Sequence, residues 1–200
     1  MIDDRANNTR KILNSVPAKK QRTVMLVEDS EVDRAVYKRY LQSDEEYGYS
    51  FIEAETGESA LEIYLQSRPD LILLDYLLPD IDGLEWFTQW QKQYSNNLCP
   101  VIILTGAGDE NIAVQFIKLG AADYFVKGQI TAEKLKLSVK KEITLKQLQQ
   151  EKQEEKLRRA IFHAPIPIML HAEDGELLHL NQAWTELTGY TIEDIPTIMD

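Results

Sequence analysis

Cysteine is almost missing from this chain. Cys99 stands alone among 200 residues, so no intrachain disulfide can form and a reducing compartment is expected. Long apolar runs are missing too: no stretch approaches the ~18 consecutive apolar residues of a membrane span. The opening MIDDRANN lacks the apolar core that a secretory signal requires. Positive charge is in deficit, since 22 Lys and Arg against 33 Asp and Glu leave a formal net charge of −11, which argues against a broad electrostatic grip on nucleic acid. Neither an internal repeat nor a low-complexity tract is visible. These absences predict a cytoplasmic segment with no membrane span and no direct nucleic-acid contact, whose partners are metal ions, small ligands and other proteins. With 44% hydrophobic residues, the chain has material for one or two ordinary globular domains.

Residues 1–22 are polar and carry Arg10, Lys11, Lys19, Lys20 and Arg22, which reads as a flexible basic tail. The pattern then changes. Five short apolar runs follow: TVMLV (23–27), YSFIEA (49–54), DLILLD (70–75), PVIILT (100–105) and ADYFVK (122–127). Most lack strict alternation, so both faces of each strand are covered, as in a parallel sheet. Helical stretches fill the gaps. Ser30 and Asp33 can cap the first, Asp82 and Glu85 form a capping box for the third, and Asp109 caps another that Gly120 ends. Strand and helix alternating five times predict a doubly wound α/β domain with a five-stranded parallel sheet, over residues 23–130. A further helix starts near Thr131 and meets no Pro or Gly until past Arg159. Leu135, Val139 and Ile143 share one face of it and Leu137, Leu145 and Leu148 another, while QQEKQEEK (149–156) has no apolar residue. Residues 131–159 thus read as the last helix of the domain running on into a solvated linker or weak coiled coil.

In a doubly wound sheet, function gathers outside the carboxyl ends of the strands. The first strand ends in Glu28-Asp29 and the third in Asp75. A single aspartate after a strand is ordinarily a loop or cap residue. Three carboxylates at adjoining strand ends are different, because like charges at close range repel unless a cation lies between them. Oxygen donors of that kind suit Mg²⁺ or Mn²⁺. The fourth strand ends in the hydroxyl of Thr105 and the fifth in the ammonium of Lys127. An acid cluster, a hydroxyl and a lysine make a pocket for handling phosphoryl groups, in which a carboxylate attacks phosphorus.

The motifs VMLVEDS (24–30), LILLDYLLPDIDG (71–83), VIILTGAGDE (101–110) and GAADYFVK (120–127) resemble the receiver domain of two-component response regulators. The spacing agrees as well: 46 residues from Asp29 to Asp75, 30 more to Thr105 and 22 more to Lys127. The resemblance implies a flavodoxin-like fold and an Asp75 that accepts a phosphoryl group from the phosphohistidine of a histidine kinase or histidine phosphotransfer protein. It further implies Mg²⁺ held by Asp29, Asp75 and the backbone carbonyl of Leu77, with Glu28 helping through water. Lys127 and Thr105 would contact the transferred group, and Thr105 with Tyr124 would form the switch. Receivers of this kind commonly pair through the face of the fourth and fifth helices and the last strand, so a homodimer through that face and the linker helix is expected. Two departures stand out: Gly128 replaces the proline that commonly follows the lysine, and apolar Leu77 stands where many relatives are polar. The second implies less help in placing a hydrolytic water and a longer-lived phosphoryl group.

Residues 160–200 resemble the start of a PAS domain, a partial α+β segment, through FHAPIPIMLHAEDGELLHLNQAWTELTGY (162–190) and the following TIEDIP. Two short strands around an Asp-Gly turn and a helix start are expected there. Asn181, Gly189 and Tyr190 match recurrent elements of that family, with Asn181 read as a structural hydrogen-bonding residue and Trp184 as core. His163 lacks the acidic neighbour of a kinase phosphoacceptor, and Pro165 breaks the helix after it. His171 and His179 have no cysteine pair within reach for a metal site. No turnover enzyme is visible in these residues, and the natural chain is expected to continue, into a histidine kinase or a nucleotide cyclase. Two other readings compete with a phosphoacceptor receiver. A pseudo-receiver used only for docking and dimerisation would have lost part of the Glu28/Asp29/Asp75/Thr105/Lys127 set, and a phosphohydrolase of the haloacid dehalogenase type wants an aspartate where Leu77 stands.

Overall fold

The computed structural model describes residues 19–94, 99–106 and 110–195. The tail to residue 18 and the expected cap Asp109 lie outside them. The chain divides into two compact units, Met1–Thr144 and Leu145–Asp200.

In the first unit the order is β1 (Lys20–Val27), α1 (Glu31–Gln42), β2 (Tyr47–Ala54), α2 (Gly57–Ser67), β3 (Leu71–Asp75), α3 (Gly83–Gln93), β4 (Val101–Thr105), α4 (Glu110–Lys118) and β5 (Asp123–Val126). A 3-10 turn over Lys127–Gln129 follows, then the long helix α5 (Ala132–Phe162). The sheet has the order β2-β1-β3-β4-β5, and every pairing is parallel. Successive side chains of a strand point to opposite faces, so the central strands feed two cores. Met25, Val27, Ile72, Leu74 and Ile103 pack with Trp86, Phe87 and Trp90 of α3 and Phe116 of α4. Val24, Leu26, Leu71, Leu73 and Leu104 pack with Tyr37 and Leu41 of α1 and with Leu135, Val139 and Ile143 of α5. Leu71 to Leu74 are each 0% exposed, and each fully buried leucine-sized side chain stabilises the fold by about 1.5–3 kcal/mol. This double burial is what the unbroken LILLD run reports.

The first strand begins earlier than its apolar residues suggest. Lys20, Gln21 and Arg22, expected in the tail, pair with Tyr47, Gly48 and Tyr49. Backbone ladder bonds need no apolar side chain, and Arg22 lies over the Tyr47 ring at 5.7 Å with an ion pair to Asp70 at 3.7 Å. Hydropathy alone does not register such a segment. Ser30 caps α1 as expected, accepting from Asp33 N at 3.3 Å, and Asp82 caps α3, accepting from Glu85 N at 2.8 Å. The expected two-way box at Asp82 is one-sided, because the Glu85 carboxylate accepts instead from Gln89. The reciprocal box is at Thr56 and Ser59, opening α2. Gly120 ends α4 with φ +93° and its N–H on Ile117 O.

The second unit contains the C-terminal part of α5, the antiparallel pair β6 (Met169–His171) and β7 (Leu177–Leu180), and the short α6 (Gln182–Thr188). The hairpin turns through Asp174 and Gly175, the latter at φ +90°. Asn181, 0% exposed, ties this unit together. Its Oδ1 accepts from Ile168 N (2.8 Å) and Trp184 N (3.0 Å), and its Nδ2 donates to the carbonyls of Ile166 (2.8 Å), Ile161 and Ala164 (both 3.2 Å). One amide thereby closes the end of α5, the entry to the hairpin and the N-terminus of α6, as its structural reading requires. Leu137, Leu145 and Leu148 are exposed and residues 149–160 are solvated throughout.

Among the described glycines of the first unit, Gly83, the first residue of α3, makes the tightest approach to backbone atoms. A Cβ there would stand 2.8 Å from Tyr76 Cα and 2.9 Å from Asp75 O. Gly83→Ala is therefore expected to lower stability by about 1–3 kcal/mol, read as a lower urea midpoint. Gly106→Ala is the control, since a Cβ at Gly106 meets nothing within 4 Å.

Candidate functional site

The parallel register brings the carboxyl ends of β1, β3, β4 and β5 to one edge. Glu28 follows β1 directly, with its N–H on Ala54 O at 3.0 Å, and is 1% exposed. Asp75, 3% exposed, is the last residue of β3, and Thr105, also 3% exposed, is the last of β4. Lys127 opens the 3-10 turn after β5. Asp29 is exposed at the mouth. One carboxylate oxygen from each of Glu28, Asp29 and Asp75 lies within 4.8 Å of the others. Three hard anionic donors at that separation fit a divalent cation such as Mg²⁺ or Mn²⁺.

Lys127 is the hub of the pocket. Its Nζ donates to Asp75 Oδ2 at 2.8 Å and to Asp33 Oδ2 at 3.1 Å, and stands 2.7 Å from Glu28 Oε2. This last contact is an ion pair. Glu28 Oε1 accepts from Ser30 N at 3.2 Å. Burial pushes the Glu28 carboxyl from its ordinary 4.5 up to about 7; Lys127 opposes the rise and the Asp75 charge adds to it. Burial by itself would lower the Lys127 ammonium, but its bonds to Asp75, Glu28 and Asp33 hold it above the usual lysine range.

Two residues of this site escaped the strand-end reading, and both come from the first turn of α1. Asp33 reaches Lys127 across 94 positions of sequence. Arg34, 6% exposed, donates from one guanidinium nitrogen to the carbonyls of Glu28 (2.6 Å) and Asp29 (3.1 Å). Its other nitrogens reach Glu53 Oε2 (3.0 Å) and Glu55 Oε1 (2.8 Å) on and beside β2. The planar fork of arginine suits such a task, for it fixes the backbone that presents the two acids. The sequence offers only an acid and a base in the first turn of a helix that follows an acidic strand end.

Leu77 sits in the loop after β3, bridged to Asp82, with its side chain 63% exposed. Tyr124 lies on β5 opposite Ile103 and is 38% exposed. Gly128 falls within the 3-10 turn, where a Cβ would meet nothing within 4 Å. Among the described residues no helix is long and apolar enough to cross a membrane.

Residues 24–140 match the family model described as response regulator receiver domain, and residues 155–200 match that of the PAS domain. The transcriptional regulatory protein YxdJ of Bacillus subtilis is 36% identical over 104 residues, which are 52% of this chain and 43% of that protein. A cyclic di-GMP phosphodiesterase of Thermotoga maritima is 33% identical over 117 residues, 58% of this chain and 30% of that protein. The chain spans less than half the length of the curated relatives it matches. Among solved structures, a signal receiver domain from Vibrio parahaemolyticus superposes with TM-score 0.58 at 35% identity, covering 65% of this chain and 95% of that one. The Mn²⁺-bound response regulator Rcp1 does so with TM-score 0.51 at 26% identity, covering 59% and 89%.

The raised Glu28 pKa sets a pH signature for the metal-free protein. Between 4.5 and about 7 the folded state holds a proton on Glu28 that the unfolded state has lost. The stability from this group is thus fully present below 4.5 and is lost as pH rises through about 7. Urea unfolding between pH 5 and 7.5 (roughly, the window set by that linkage) should show stability falling with pH. Glu28→Gln should flatten that component, and an unchanged slope in the variant would assign it to another group.

Proposed function

This chain belongs to the response regulator receiver family, and we propose that Asp75 is its phosphoacceptor. The observation that carries the reading is the convergence of Glu28, Asp29 and Asp75 at one sheet edge with Lys127 bonded directly to Asp75. Receiver domains take phosphoryl groups from histidine kinases or histidine phosphotransfer proteins, and a donor of that chemistry is proposed here. A bound Mg²⁺ or Mn²⁺, held by Glu28, Asp29, Asp75 and the carbonyl of Leu77, would neutralise phosphate oxygens as the two anions meet.

The protein's own groups do the rest. An Asp75 oxygen forms the bond to phosphorus as the donor's P–N bond breaks, and the donor nitrogen keeps the electron pair. Lys127, already 2.8 Å from Asp75 Oδ2, turns a proton toward the incoming phosphoryl oxygen. Thr105 supplies a hydroxyl to the same group from the adjacent strand end. Movement of Thr105 toward the phosphoryl group leaves room for Tyr124, half exposed on β5, to turn inward. Through the face containing Tyr124 and through α5, two copies would pair and pass the change toward the PAS-like region.

Two measurements test this reading. Incubation with acetyl phosphate and Mg²⁺ should add one acid-labile phosphoryl group by intact mass; Asp75→Asn or EDTA should abolish the addition. Labelling that survives in Asp75→Asn would move the acceptor elsewhere. For the relay, each residue inserted in a helix rotates the downstream segment by ~100°. Insertions after Gln150 of one or two residues should uncouple output from phosphorylation in the natural full-length protein, and seven should largely restore it. A smooth decline with length would make the helix a simple tether.

A further inference from the structure

Lys127 has more anionic partners than the strand-end carboxylates alone. In this pocket three carboxylates stand within ion-pair reach of its ammonium, Glu28 at 2.7 Å, Asp75 at 2.8 Å and Asp33 at 3.1 Å, and the last two accept hydrogen bonds from it. The first two are nearly closed to solvent, with side-chain exposures of 1% and 5%, whereas Asp33 is 36% exposed at the rim. Asp33 also differs in origin. It stands on the first turn of α1, where its N–H is taken by Ser30 Oγ and its charge suits the helix N-terminus. That placement alone needs no contact with Lys127; the side chain nonetheless turns into the pocket. Asp33 is not one of the three acids that cluster for a cation.

From this geometry we propose that Asp33 is a positioning residue that holds Lys127 toward the rim and lowers the pocket's affinity for a phosphoryl group. The inference rests on Asp75 being the phosphoacceptor. In the resting protein Asp33 engages one ammonium proton and draws the lysine outward. When a phosphoryl group joins Asp75 as an acyl phosphate, the carboxylate gives up its negative charge and Lys127 redirects that proton to a phosphoryl oxygen. Glu28, buried, keeps its claim on the lysine. Asp33 then remains an anion on the same nitrogen as the phosphoryl dianion, with its oxygen no farther from Asp75 Oδ2 than the two lysine bonds combined. Both effects act in one direction, for the lysine is shared and a like charge stands near the incoming dianion. A partly exposed charge at this range changes an equilibrium by about three- to tenfold.

Beryllium fluoride, which mimics a phosphoryl group on a carboxylate, gives the direct measurement. Its dissociation constant would be determined by calorimetry in Mg²⁺ for the whole 200-residue chain and for Asp33→Asn, Asp33→Ser and Asp33→Glu. Asn is isosteric and Ser suits a helix start, so at least one neutral variant retains the fold. Both neutral variants should bind about three- to tenfold more tightly, and Asp33→Glu should return to the wild-type value. Mg²⁺ affinity measured alone should stay the same or fall in the neutral variants, because removing a nearby anion cannot strengthen a cation site, so tighter beryllium fluoride binding is not a metal effect. Steady-state phosphorylation by acetyl phosphate should rise in parallel. Equal or weaker beryllium fluoride binding in both neutral variants, with wild type binding normally, would overturn the proposal while leaving the phosphoacceptor reading intact. If wild type itself binds no beryllium fluoride and accepts no phosphoryl group, the phosphoacceptor reading fails, and the role of Asp33 falls with it.

Discussion

An ammonium among acids governs this molecule. Lys127 arrives after β5 and meets Glu28 after β1, Asp75 at the end of β3 and Asp33 on α1. Without that positive charge, carboxylates from three separate elements would crowd one nearly dry edge, and removing one partner of such a buried group typically costs about 3–5 kcal/mol. The parallel, in-register sheet is what brings the lysine to these acids. The two cores that sandwich the sheet are the means. They fix the strand ends so that opposite charges meet at under 3 Å for Glu28 and Asp75.

The balance is deliberately incomplete. One lysine does not neutralise four acids, and the residual negative charge invites a cation at the Glu28, Asp29 and Asp75 oxygens. The elevated Glu28 carboxyl reflects its burial first, with the Asp75 charge adding to the rise and Lys127 opposing it. Arg34 adds a mechanical element to an electrostatic one. By holding the carbonyls of Glu28 and Asp29 while reaching Glu53 and Glu55, it ties the mouth of the pocket to the edge strand β2.

Much of this was legible in the residues, and the limits have physical causes. The five strands were visible because double burial leaves unbroken aliphatic runs such as LILLD and VIILT. Strand-end chemistry was visible because in a parallel sheet all ends face one way, so Glu28, Asp75, Thr105 and Lys127 could be gathered without coordinates. Asp33 and Arg34 were not, for a helix presents its side chains around a full circle and sequence spacing does not say which turn faces a pocket. The start of β1 was also missed: Lys20 to Arg22 join the ladder through backbone bonds and contacts with Tyr47 and Asp70, which leave no apolar trace. Similarly, the one-sided cap at Asp82 turned on the choice of Glu85 to engage Gln89, a contest between two neighbours that a motif cannot decide.

Gly83 gives the pocket a stiffness of its own. With no side chain present, the first turn of α3 rests directly on the peptide that carries Asp75, and Gly83 N takes Tyr76 O at 2.7 Å. A larger residue would force the two segments apart, and the long side chains that usually separate helix from strand can change rotamer. Bare backbone does neither, so a displacement of the Asp75 peptide is handed to α3 without slack. The helix then behaves as a rigid arm bearing on Asp75, with its far end, near Trp90, embedded among the rings of Trp86, Phe87 and Tyr64.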